Sequence, residues 1–166
     1  MALTGGLRDR MVLQSVVTAI TGEMTTLGWF NMTGKQYSEI TILDEYPDDK
    51  DEVAINTMAF SLGGVQRSEM ELGSNAQTLY FPIYVDFFAE SDGLGRHVVG
   101  DIANFVNRVG QFTVYDYSAS PTPTAEFVVL LGEGSLETTK PDRAVNNWQK
   151  HWHSVGFVVT EERPGT

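Results

Sequence analysis

The chain has 166 residues, of which 42% are apolar and 20% charged, and its formal net charge is −11. A chain of this length and composition is expected to bury one core, which predicts a single domain over residues 1–166. The absence of cysteine excludes disulfides, cysteine nucleophiles and thiolate metal sites. The eleven Lys and Arg residues are scattered, which argues against tight binding of nucleic acid.

The first predicted element is an amphipathic helix near the N-terminus. Its apolar residues recur at helical spacing: Leu7, Met11, Val16 or Val17, Ile20, Met24 and Leu27. Gly22 or Gly28 is expected to end this helix. We expect neither a signal sequence nor a membrane span, because no segment approaches the roughly 20 apolar residues that a span requires.

A strand predicted over residues 37–43 leads into a strongly acidic segment, residues 44–52. Nine positions hold one lysine and six carboxylates: Asp44, Glu45, Asp48, Asp49, Asp51 and Glu52. The ligand spacing of a calcium loop is missing, and catalytic carboxylates usually lie on separate elements with one of them buried. We therefore expect a hydrated loop and treat these six residues as candidates for contact with another protein.

Two strands are predicted next, over residues 53–62 and 65–72, joined by a tight hairpin turn at Gly63-Gly64. The strongest strand pattern follows at residues 78–88. It alternates between a face with Leu79, Phe81, Ile83, Val85 and Phe87 and a face with Tyr80, Pro82, Tyr84, Asp86 and Phe88. Pro82 has no N–H for a ladder, so we expect an edge strand or a position that points away from its neighbour. It is a further interaction candidate.

A second amphipathic helix is predicted from Ser91-Asp92 to Gly110. Its apolar positions are Leu94, Val98, Ile102, Phe105 and Val109. Three more strands follow, over residues 112–117, 125–131 and 146–162, with turn-rich connections. This order predicts an α+β fold in which a mostly antiparallel sheet is covered by the two helices.

No pattern in the chain predicts catalysis, a cofactor or a metal. His151 and His153 share one face of a strand but have no third ligand at a recognisable spacing, so we interpret them as structural. The glycines of residues 93–100 lack the spacing of a phosphate-binding loop, and no serine lies in a G-x-S-x-G turn. We expect a protein that is not an enzyme.

The layout resembles the tail terminator proteins of long-tailed, siphovirus-type bacteriophages. The resemblance covers the N-terminal helix LRDRMVLQSVVTAI, the acidic approach LDEYPDDKDEVAI, the strand and helix LYFPIYVDFFAESDGLGRHVVGDIANFV, and the last strand WQKHWHSVGFVVTEE. It implies a structural virion protein that forms a hexameric ring, closes the tail tube and joins the tail to the neck of the head. The implied partners are copies of itself, the tail tube protein and a neck or head-completion protein.

The resemblance also implies assembly in the host cytoplasm and a final place in the tail or neck of the virion. Genomic DNA would pass through such a ring without specific binding, and an acidic bore suits that passage because it gains nothing from counterion release. The acidic segment would then line the bore or meet a basic patch on a partner ring. The Pro82 strand and the C-terminal strand would offer edges for pairing with neighbouring subunits.

Two alternatives remain at this point. A different ring protein of the neck, the tail-completion machinery or the tail tube would share the same α+β pattern and the same need for self-association. A small carboxylate- or metal-dependent enzyme would instead require two convergent buried carboxylates or a third ligand beside His151 and His153.

Overall fold

The computed structural model describes residues 5–27, 40–48, 52–69, 75–118, 122–131, 135–139 and 151–164. Within them lie two helices and eight strands. In chain order these are α1 (Gly5–Leu27), β1 (Thr41–Leu43), β2 (Thr57–Leu62), β3 (Gln66–Glu69), β4 (Gln77–Ala89), α2 (Asp92–Val109), β5 (Gln111–Asp116), β6 (Thr124–Leu131), β7 (Glu137–Thr139) and β8 (His151–Arg163).

All eight strands belong to one sheet with the order β1-β2-β4-β8-β6-β5. β3 pairs with β4 next to β2, and β7 pairs with β8 next to β6. Every pairing is antiparallel except that of β1 with β2, which is parallel. The α+β class and the mostly antiparallel sheet predicted from the sequence are therefore confirmed.

The alternating pattern of β4 sorts the sheet into two faces, as the sequence predicted. Leu79, Phe81, Ile83, Val85 and Phe87 are buried in the main core together with apolar residues of both helices. We call this the helix side of the sheet. The opposite side, which we call the outer face, contains Phe88 and its neighbours in a second, small core.

Helix α1 packs on the helix side through a stripe of five buried residues: Met11, Val12, Val16, Ile20 and Met24. The sequence placed Leu7 in this stripe, but its side chain is 42% exposed. The helix continues through Gly22 to Leu27, so the predicted end at Gly22 is wrong; Gly28 lies outside the described residues. Threonines in this part of the helix bond backward to carbonyls one turn earlier, as Thr26 does to Gly22.

Helix α2 begins and ends where the sequence predicted. The Ser91 side chain accepts a hydrogen bond from the backbone N–H of Leu94, and Gly110 closes the helix with a φ of 67°. Leu94, Val98, Ile102 and Phe105 are buried. Val109, the last residue of the helix, is in contrast 36% exposed.

The predicted hairpin at Gly63-Gly64 is wrong. β2 and β3 run in the same direction along the same side of β4, with Leu62 opposite Ile83 and Gln66 opposite Tyr80. Three residues, 63–65, therefore face only two residues of β4, which is a β-bulge in one interrupted strand. Glycine suits this bulge as well as it suits a turn, so the dipeptide alone did not distinguish the two.

The bulge also explains Pro82, whose strand is not at an edge. β4 lies between β2 and β8, and β8 lies between β4 and β6, so the two edges predicted from the sequence are both interior. The Gly63 N–H donates to the Pro82 carbonyl at 2.8 Å, so that side of Pro82 faces the bulge. A missing N–H is tolerated there because the ladder is already interrupted. Among the described strands, β1 and β5 are outermost.

The C-terminal half also differs in detail from the sequence-based expectation. The connection after β6 contains the short strand β7, and β8 begins at His151, while residues 146–150 of the predicted strand lie outside the described residues. Of residues 37–43, only 41–43 form β1; residues 37–39 are likewise outside. No helix in the described part of the chain is long and apolar enough to cross a membrane.

A histidine and a glycine set the distance between α2 and the sheet. His153 of β8 is buried, and its Nε2 lies 3.1 Å from Oδ1 of Asp92 in the first turn of α2. The imidazole lies directly against Gly95, where an added Cβ would come within 2.2 Å of the His153 Cδ2. Gly95 therefore allows α2 to approach β8 closely enough for this contact.

We expect Gly95→Ala to destabilise the fold by about 1–3 kcal/mol, because the new methyl group overpacks a buried ring. Gly100→Ala is the matched control on the same helix, since a Cβ there meets no atom within 4 Å. That control should stabilise the fold by up to about 1 kcal/mol through helix propensity. Urea unfolding measures both, and equal stabilities of the two variants would contradict the close contact.

Candidate interaction surface

The connection between the parallel strands β1 and β2, residues 44–56, contains the acidic segment and reaches the outer face of the sheet through Tyr46 and Val53; we call it the covering segment. It leaves β1 at Leu43 and returns at Asn56, immediately before β2. Asn56 has a φ of 61° and holds three elements together. Its N–H donates to the Phe88 carbonyl at 2.7 Å, its carbonyl accepts from Thr41 at 3.0 Å, and its Oδ1 accepts from the Glu90 N–H at 3.1 Å.

Apolar residues of the covering segment attach it to the sheet. Val53 is buried against Phe88 and packs with Trp152 in the small outer core. The rings of Phe88 and Trp152 are stacked with centroids 5.9 Å apart, and the Tyr46 ring lies 6.4 Å from Trp152. The segment is thus not a free loop, because part of its chain covers one end of the outer face.

Asp86 lies at the centre of this covered end and is the one described outer-face acid that is buried. Its Oδ1 accepts a hydrogen bond of 2.8 Å from Trp152 Nε1, and Ser154 also donates to it. Burial raises the pKa of Asp86, and the two hydrogen bonds oppose that rise. Burial also raises the pKa of Tyr46, with a further contribution from the nearby charge of Asp86.

The predicted interaction residues are only partly brought together. Glu45, Asp48 and Glu52 are exposed on the covering segment. Asp44 is exposed too, but it borders a cavity of about 300 Å³ on the opposite side, beside Gln14, Val17 and Thr18 of α1. Asp49 and Asp51 lie outside the described residues. Pro82 is half-buried within β4.

Sequence reasoning missed the part of the outer face that the segment leaves uncovered. Three large apolar side chains are exposed there, namely Tyr84 at 45%, Val128 at 45% and Leu130 at 43%. Leu130 pairs with Thr160 and Thr160 with Tyr80, which places Leu130 on the outer face, four residues along the sheet from the level of Tyr84, and the alternation of β6 places Val128 on the same face. The sequence did contain a signal for it. In β6 both alternating sets of positions hold apolar residues, so one apolar set had to face the outer side of the sheet.

Two glycines form the floor beneath Tyr84. A Cβ at Gly63 would lie 3.1 Å from the ring, and a Cβ at Gly156 would lie 3.2 Å from its other edge. The ring therefore fills the space above two neighbouring strands. Pro82, Val158 and Thr160 extend this surface along β4 and β8, and none of them is charged.

The two histidines of residues 151–153 do not form a metal site with other described residues. His153 is directed toward Asp92, and no group of three or more His, Cys, Asp or Glu residues in the described ranges could hold an ion. A second cavity, of about 300 Å³, lies beside His153 and is bordered by Arg96, Thr138 and Thr139.

The sequence matches no protein-family model, and no curated protein matches it.

Asp86→Asn should change how stability depends on pH. The folded state binds the Asp86 proton more tightly than the unfolded chain, whose carboxyl has a pKa near 3.8. The stabilising effect of this proton is complete below that value and is lost as the pH rises through the raised pKa. Asparagine does not titrate, so Asp86→Asn should gain stability relative to the wild type as the pH rises.

Urea unfolding between about pH 3.5 and about pH 8 measures this difference. Trp152→Phe is the companion variant, because it removes one hydrogen bond to the carboxylate and should steepen the pH dependence. Parallel pH profiles for the wild type and Asp86→Asn would contradict the assigned role of Asp86.

Proposed function

We propose that this chain is a structural ring protein of a long-tailed bacteriophage, one that closes the tail tube and supplies the surface for joining the tail to the head. The observation that carries the proposal is the uncovered outer face with Tyr84, Val128 and Leu130. Uncharged faces with exposed aromatic and aliphatic side chains are typical of surfaces that bind other protein chains. The proposed partners are copies of the chain, the tail tube protein and a neck protein.

The surroundings of this face support a role in assembly. Acids lie on three sides of it: Glu45, Asp48 and Glu52 on the covering segment, Glu137 on β7 and Glu162 near the end of β8. Acidic borders oppose docking on any surface that lacks compensating positive charge, so they select a partner and its orientation. They also disfavour retention of DNA, which suits a ring through which a genome passes.

The open margins of the sheet offer a second means of assembly. β1 pairs with only three residues of β2, so beyond residue 59 this margin is formed by β2 and β3. In β3, Gln66 and Ser68 alternate with Arg67, whose backbone groups face away from β4. Such an edge can accept a strand from a neighbouring subunit. In the proposed ring, this β3 edge pairs with the neighbouring subunit. The sequence had suggested β4 and β8 for that role, but both are interior strands.

The proposal includes a virion location and a structural rather than catalytic role. A ring requires two different complementary patches on each subunit, repeated around an axis. Another ring protein of the neck or the tail tube would use the same kinds of surface. It would differ in its assembled form, because a tube protein makes an open-ended polymer whereas a terminator makes one closed ring.

The solution mass and the shape of the purified chain test this proposal. We expect a species near six times 18.4 kDa, seen as closed rings by electron microscopy, either alone or on the ends of tail tubes. An open-ended tube would instead indicate that the chain is a tail tube subunit. A chain that stays monomeric at high concentration and on tube ends would contradict it.

Neutralising the acidic segment tests its part in joining. Changing Glu45 and Glu52 to Gln and Asp48 to Asn should lower the yield of completed particles by about tenfold or more, if each charge contributes about 0.5 kcal/mol to docking. The fold should remain, since these side chains are exposed. Arg10→Gln, which neutralises an exposed charge on α1 away from this face, is the single-site control. Normal yields from the triple variant would remove the segment from the proposal.

A further inference from the structure

The charged side chains of this chain are divided unequally between the two sides of the sheet. The arginines of the described residues all belong to the helix side: Arg8, Arg10, Arg67, Arg96, Arg108 and Arg163. Arg67 and Arg163 are assigned there because they pair with Leu79 and Gln77, which share the inward-facing positions of β4. The outer face has acids around it and, among the described residues, no arginine.

Helix α2 presents an exposed stripe that lacks acidic residues. Arg96, Gly100, Asn104 and Asn107 recur at steps of three and four, and Arg108 is adjacent to the last of them. Of the acids of α2, Asp101 contacts His97 beside the stripe, whereas Asp92 lies one turn before Arg96, in line with the stripe, and binds that arginine. The stripe therefore has an arginine at each end, each paired with one acid, and no charge between them.

The outer face has the opposite arrangement. Its centre is uncharged around Tyr84, and two exposed acids border it along β8. Glu137 is level with Gly156, and Glu162 is six residues farther along the same strand. Six residues of a strand span about 20 Å. Arg96 and Arg108 are twelve residues apart on a helix, which is about 18 Å.

We infer that the outer face of one copy of this chain docks the exposed stripe of α2 of a second copy, with Arg96 and Arg108 reaching Glu137 and Glu162. A helix laid on an open sheet face is the ordinary way in which such a face becomes covered. The two charge pairs have matching separations, and the small and amide side chains between the arginines allow the helix to approach Tyr84.

This contact is head-to-tail, because the two patches are different surfaces of the same chain. Repetition of such a contact about an axis gives a closed ring, and repetition without closure gives a filament. The inference deepens the proposed function and rests on its self-association. It adds which surfaces meet and which charges select the register.

The arginines can exchange partners on docking at little cost. Arg96 binds Asp92 on its own helix and Arg108 binds Glu23 of α1, but both arginine side chains are about two-thirds exposed. Exposed ion pairs of this kind contribute little to stability. Association should therefore weaken as salt rises, because the intermolecular pairs form at the rim of the contact.

Charge reversal tests the contact with the full chain alone. Glu137→Lys with Glu162→Lys, or Arg96→Glu with Arg108→Glu, should each raise the concentration needed for self-association by tenfold or more, as measured by sedimentation velocity. Combining all four changes in one chain should restore association, because either orientation of the helix then pairs opposite charges. Mixing the two double variants should also restore it.

Control variants separate this contact from general effects of charge. Arg10→Glu and Arg10→Ala change an exposed charge on α1, outside the contact, and should leave association unchanged. Circular dichroism and urea unfolding establish that every variant is folded.

The possible failures are distinguishable. Full association of both double variants, or a quadruple variant as defective as they are, would overturn this contact while closed rings of the wild type would still support the ring proposal. A wild-type chain that never self-associates would overturn both.

Discussion

Each of the thirteen residues of β4 faces a residue of β8, and this ladder sorts the side chains of both strands between two very different environments. On one side, Phe81, Val85, Phe157 and Val159 pack under the helices. On the other side, the same backbone presents Tyr84, Val158 and Thr160. A shift of one residue would exchange the two sets, so the pairing decides both what is buried and what is displayed.

The covering segment both packs on the sheet and displays acids at the surface, whereas its sequence suggested only a hydrated loop. Its apolar residues, Val53 and Tyr46, form the lid of a small core around Trp152, and Asn56 fixes its return to the sheet. Its acids are left at the surface as a result. The concentration of charge is thus compatible with an ordered covering structure, because Val53 and Tyr46 contact the small core while Glu45, Asp48 and Glu52 stay exposed.

Periodicity revealed most of the secondary structure. The alternation of β4 and the spacing and caps of α2 were predictable because each depends on local geometry: side chains alternate along a strand, and Ser91 and Gly110 satisfy the helix ends. The position of β4 within the sheet was not predictable. Pro82 is compatible with an edge and with a bulge, and only the register of β2 and β3 against β4 decides between them.

The surface was harder to predict than the fold. The cluster of acids was visible in the sequence, but the exposed positions Val128 and Leu130 resembled core residues because both are aliphatic members of a strand. The division of charge between the two sides also depends on strand pairing. Arg67 and Glu162 are both exposed, and nothing in their local sequence indicates that they face opposite ways.

The bulge at residues 63–65 has a consequence for the fidelity of folding. If the strand formed by β2 and β3 slid past β4 by one position, the ring nitrogen of Pro82 would stand opposite a carbonyl that requires a donor. Proline therefore acts as a stop against sliding. By penalising the misaligned sheet during folding, it preserves which side chains face the helices and which face outward.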